Sequence, residues 1–170
     1  RVLFRSDHKT VAFLVATVGT PALIFFNLAK TPIAPDALAT VAAATLLAIG
    51  FYLAVGSIAL RASGLTLQTY LPSLAFPNSG NLGLPLALYA AGEEGLNFAI
   101  VIFAVTSILN LTVGQALAAG AAKWSAVLRT PILPAVGFGL IFSYAKIPLP
   151  HWASNTLELL SSLTIPLMLL

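Results

Sequence analysis

The chain has 170 residues, of which 59% are hydrophobic and 8% charged, with a net charge of +3 and a mean hydropathy of +0.98. Soluble domains carry about 25% charged residues, so a soluble fold is excluded, and a secretory leader does not explain apolar character that runs the whole length. The absence of cysteine removes disulfides, thiolate metal sites and cysteine nucleophiles, and the scattered charge offers no patch for nucleic acid.

What remains is an all-α integral membrane protein whose surroundings are the lipid bilayer. About 20 apolar residues cross about 30 Å of hydrocarbon. Read between charged punctuation, the chain offers six such spans: Val11–Ala29, Ala37–Leu60, Leu65–Ala91, Leu96–Ala119, Ala126–Ala145 and Thr156–Leu170. The opening "RVLFRSDHK" reads as a loop without an initiating Met, and the last span stops within an apolar run. Both features suggest a piece of a longer protein.

The basic residues fall unevenly between the spans. Arg1, Arg5, Lys9, Arg61, Lys123 and Arg129 share one side of a weaving chain, against Lys30 and Lys146 on the other. The excess places the residue-1 end in the cytoplasm. The protein is therefore expected to be multi-pass, in a bacterial inner membrane or a plasma membrane. Asp36, Glu93 and Glu94 fall on the outer side, the last two in a turn-like "AAGEEG".

The third span carries the most unusual chemistry. Pro77, Asn78, Ser79, Gly80, Asn81, Gly83 and Pro85 occupy seven of nine consecutive positions. Broken backbone inside a bilayer is tolerated only against protein or a wet cavity, because an unsatisfied polar group in hydrocarbon costs several kcal/mol. The pattern predicts two half-helices, Leu65–Phe76 and Leu82–Ala91, with "PNSGN" unwound between them. The second would aim free N–H groups around Leu82–Leu84 and a positive dipole end into the gap. Interrupted helices of this kind form midplane binding sites in secondary transporters; the bland alternative is a proline kink packed in a bundle.

Asn110, one turn after Thr106, is a further cavity candidate on the fourth span, with Gln115 a weaker one near its end. Asn27 and Thr20 read as interhelical hydrogen-bonding glue. His8 and His151 fall in predicted loops with no second ligand at metal spacing. Trp124, Trp152 and Tyr144 read as interfacial anchors, and Gly50-x-x-x-Ala54 as ordinary helix packing. No metal, cofactor or nucleophile–base constellation is visible, which argues against an enzyme. Coupling to Na⁺ or H⁺ is left open.

The stretch "FPNSGNLGLPLALYAAGEEGL", followed by "NFAIVIFAVTSILNLTVG", resembles the auxin efflux carrier family, related to the bile acid:sodium symporters. Its most specific part is Gly80–Leu86, "GNLGLPL". The resemblance implies a ten-helix fold of two inverted five-helix repeats, each with one broken helix crossing the other near the membrane centre. This chain would be a fragment supplying helices two to seven. Residues 1–30 and 125–170 would belong to a scaffold, residues 36–120 to a mobile core with the crossover at 76–85. The implied function is secondary transport of a small organic anion, held at Pro77, Asn78, Ser79, Gly80, Asn81, Gly83, Pro85 and Asn110. A homodimer is a further expectation. A ligand-binding receptor, or a channel, using the same pocket is the alternative. Independently of the resemblance, "LVATVGTPALIFF" and "LLSSLTIPLMLL" align on Pro21 and Pro166, an offset of 145 (166 − 21). They lie on the first and sixth spans, an odd offset of five in span order, so such a repeat would be inverted.

Overall fold

The computed structural model describes residues 8–119 and 130–169, and all regular structure among them is helical. Arg1, Arg5, Lys123 and Arg129, on which much of the charge asymmetry rests, lie outside the described residues, as does the expected anchor Trp124. So does the start of the fifth span.

Helices α1 (His8–Leu14) and α2 (Thr20–Lys30) are joined through a π-turn at Val15–Gly19. The π-turn precedes Pro21, whose ring would otherwise collide with the preceding turn. The hydroxyl of Thr20 caps it by donating to the Val15 carbonyl at 2.9 Å. Helix α3 (Pro35–Ala62) ends where Gly64 takes φ +69°, with Leu65 N–H donating to Leu60 O. That is a Schellman ending, in which a left-handed residue lets the chain satisfy its last carbonyls.

Helix α4 (Leu67–Ala75) is followed by the break, a π-turn at Ser79–Gly83, and α5 (Leu84–Leu109). A third π-turn at Asn110–Gly114 leads into α6 (Gln115–Ala119). Helices α7 (Ile132–Tyr144) and α8 (His151–Met168) complete the described fold. Among the described residues, three helical runs are long and apolar enough to cross a membrane: Thr10–Lys30, Pro35–Ala62 and Leu67–Ala119.

The last run, 53 residues, would be about 80 Å long as one rod at 1.5 Å per residue. It is instead a hairpin. Gly92 adopts φ 65°, ψ −156°, a conformation essentially reserved for glycine. The chain turns back there, packing α4 against α6 and Gly80 against Phe103. This is the pair of spans, Leu65–Ala91 and Leu96–Ala119, that the charge punctuation separates. At the turn, Glu93 reaches Lys30 at 3.8 Å, both side chains more than half exposed, and the Lys30 ammonium lies 5.6 Å from the Phe26 ring centre.

The core forms where α2 meets the hairpin, α7 and α8. Leu23, Ile24 and Leu28 pack with Leu84, Ile100, Ala135 and Ile165, among others. Helices α2 and α7 run in the same direction, with Leu28 against Gly139 and the Tyr144 hydroxyl donating to Ile33 O at 3.0 Å. Helix α8 crosses α2 the other way, with Gly19 on Thr164 and Asn27 Nδ2 donating to Ser161 Oγ at 3.3 Å. The expected interhelical role is visible for Asn27, whereas the Thr20 hydroxyl bonds within its own helical run.

Several expectations are corrected. His8 and His151 are helical, each the first residue of its helix. Helix α8 begins at His151, five residues before the expected boundary at Thr156, with Pro150 (φ −58°, ψ 144°) in the capping position just outside it. Gly50 has nothing within 4 Å where a Cβ would stand, so its small-residue spacing packs no helix within the described chain.

Candidate functional site

The break is shorter than the sequence pattern suggests. Only Phe76, Pro77 and Asn78 leave the helical path, and the second half begins at Ser79 instead of Leu82. The cause is Asn78, whose side chain accepts from Asn81 N–H at 3.1 Å. An N-terminal cap of this kind satisfies an otherwise orphaned donor. Gly83 N–H is bonded to Asn78 O at 3.2 Å, and Leu84 N–H to Gly80 O. The free N–H groups expected around Leu82–Leu84 are therefore spent inside the chain at Gly83 and Leu84. The positive end of the second half-helix still faces the gap, at Asn78–Asn81.

That gap is a cavity of about 300 Å³ bounded on one side by Phe76–Asn81 and on the other by Phe103, Thr106, Ser107 and Asn110. Six of the eight expected site residues meet here: Pro77, Asn78, Ser79, Gly80, Asn81 and Asn110. The other two do not. Gly83 lines a separate apolar cavity of about 260 Å³ with Leu86 and Ile102, and Pro85 is fully buried.

The hydroxyls of the cavity differ from many in the other helices, though the buried Ser143 hydroxyl is also without a partner among the described residues. Within a helix a hydroxyl commonly folds back onto a carbonyl one turn earlier. Thr17, Thr45, Ser57, Thr112 and Thr164 all do so. Ser79, Thr106 and Ser107 make no side-chain hydrogen bond among the described residues, nor do the carboxamides of Asn81 and Asn110. These groups are left to whatever fills the cavity. Burying them unpartnered would cost about 1–3 kcal/mol each.

A second cavity of about 430 Å³ adjoins the first through Pro77 and Thr106. Its walls are Val41, Ala44, Ala48, Ile49 and Tyr52 of α3 with Ile102. Among the described residues, neither cavity is lined by a charged side chain. Among the described residues there is no cluster of three or more potential metal ligands.

Sequence reasoning did not single out Phe76, Phe103 or Ser107 as site residues. Ser107 follows the noted Thr106 and sits three residues before Asn110, the spacing that puts two side chains on one helix face. That signal was available. Fold and cavity together define an all-helical protein with helices suited to a membrane and a polar pocket at a helix break. No protein-family model, curated protein or solved structure matches the chain.

Proposed function

We propose that the chain forms part of a secondary carrier of the auxin efflux type, which moves a small organic anion across the membrane by alternating access. The observation that carries this is the cavity itself. An uncharged cluster of carboxamides and hydroxyls, with a helix N-terminus aimed at it, sits at a helix break inside an apolar hairpin. Carriers use interrupted helices in this way to bind anionic groups near the midplane. With no cationic side chain among the described residues of the cavity, an anion is held by neutral donors and the dipole, which suits a ligand that must also leave.

A second relationship supports the inverted-repeat architecture. Gly19 touches Thr164, and the two lie 145 positions apart (164 − 19), the offset that aligns Pro21 with Pro166. Contact between equivalent positions is what a two-fold axis passing between them produces. In this reading residues 36–120 move against α2, α7 and α8, and the residue-1 end is cytoplasmic. The adjoining apolar cavity accommodates the ligand's hydrocarbon part.

The test is flux. The full-length protein in lipid vesicles is expected to accumulate one of a panel of labelled small carboxylates, and Asn81→Ala to lower the rate by about tenfold or more, as expected for loss of one or two hydrogen bonds to a charged ligand. Saturable binding without accumulation would replace this reading with a receptor.

A further inference from the structure

We infer that Phe76 and Phe103 are positioning residues that clasp the two sides of the cavity together. The inference rests on the carrier reading for its functional meaning and on geometry for its existence. Each side of the cavity contains a π-turn, Ser79–Gly83 on the broken helix and Asn110–Gly114 on the returning helix. Each π-turn carries a glycine on which a ring from the other side is seated. A Cβ at Gly80 would stand 2.8 Å from Phe103 Cε2, and one at Gly114 would stand 3.1 Å from Phe76 Cε2. The contacts are reciprocal, ring to glycine in both directions, and both rings line the cavity.

π-turns occur mostly as single insertions inside α-helices, frequently at functional sites. Two facing ones would leave the spacing of Ser79 and Asn81 from Ser107 and Asn110 poorly determined. Rings pressed onto bare backbone remove that freedom, because packed interiors tolerate little displacement. The clasp thus makes the break and the returning helix one rigid body, so that the binding groups travel together.

These 170 residues contain no cysteine, and any cysteine elsewhere in the full-length protein is replaced by serine for the test. Spin labels at Leu82→Cys and Val113→Cys, exposed members of the two π-turns, report their separation in the full-length protein in lipid vesicles. A narrow distance distribution is expected, broadened or shifted by Gly80→Ala and restored by Gly80→Ala/Phe103→Leu. If Gly80→Ala alone does not fold, recovery of a folded, narrow state in the double variant is the same result. An unchanged distribution in Gly80→Ala, or failure of Phe103→Leu to restore it, would overturn the clasp. Where uptake of a labelled carboxylate is measurable, Phe103→Leu is expected to raise KM several-fold with the maximal rate held within about twofold. An unchanged KM would count against a positioning role. The distance measurement needs no substrate, so a protein that transports nothing would leave the clasp standing and remove only the carrier reading.

Discussion

Gly19 and Thr164 approach so closely that a Cβ on residue 19 would lie 2.5 Å from Thr164 Oγ1. The contact joins the π-turn of the first apolar helix to the proline-bearing end of α8. Thr164 is 2% exposed and its hydroxyl is already committed to Leu160 O at 2.6 Å, so it has little room to move away. Gly19→Ala is expected to lower stability by about 1–3 kcal/mol, the usual range for overpacking a close contact. Thr164→Ala in the same chain should recover much of that loss. Thermal unfolding in detergent of the two single variants and the double variant reads the coupling.

Asn27 lies on the same interface and bridges α2 to α8 through Ser161. Hydrogen bonds between membrane helices contribute about 0.6–2 kcal/mol. Asn27→Ala and Ser161→Ala are each expected to destabilise within that range and to be non-additive when combined. Fully additive losses would mean that the 3.3 Å contact carries no energy.

Lys146 is the one described non-glycine residue with positive φ, at 51°. It ends α7 in the manner that Gly64 ends α3, with Ile147 N–H donating to Phe142 O at 3.0 Å. Left-handed backbone costs an ordinary L-residue about 1–2 kcal/mol. Lys146→Gly is therefore expected to stabilise the protein by roughly 1 kcal/mol or slightly less, since glycine also gains freedom when unfolded. The opposite change at the hairpin turn, Gly92→Ala, is expected to destabilise by about 1–3 kcal/mol. Equal melting temperatures for Gly92→Ala and the parent would show that the turn does not need its glycine.

The position of the break was legible because proline and glycine act locally. Pro77 cannot donate, and the polar cluster after it has no place in hydrocarbon without partners. The extent of the break was less legible, since it depends on Asn78 turning its side chain onto Asn81 N–H. A carboxamide between proline and serine can cap, bind or simply solvate, and composition does not choose among these. The hairpin turn was legible for a similar reason, a doubly acidic glycine-flanked segment, and the Lys30–Glu93 pair joins two charges assigned to the same side. Phe103 and Phe76 were invisible in this role. In a chain with ten phenylalanines, nothing local marks the two whose rings meet glycine backbone across a cavity. The π-turns were hidden as well, because an extra residue within a helix leaves the apolar pattern almost unchanged over one turn.

Asn78 also allows its cap to be separated from any ligand contact. Asn78→Ala is expected to cost about 1 kcal/mol through loss of the cap, whereas Asn78→Ser should keep most of that stability. If the carboxamide also holds substrate, Asn78→Ser will remain as stable as the parent while transporting less. Parent-like transport in Asn78→Ser would limit the residue to capping.

The central claim is that the cavity between the break and the returning helix opens alternately to the two faces of the membrane. These 170 residues contain no cysteine, so in the full-length protein, with any cysteine elsewhere replaced by serine, a single Ser107→Cys places one thiol on the cavity wall. A membrane-impermeant thiol reagent added to sealed vesicles of either orientation is the most direct probe. Modification from both faces, slowed by a transported carboxylate, is the predicted result. Modification from neither face, or from one face only under all conditions, would contradict alternating access at this site.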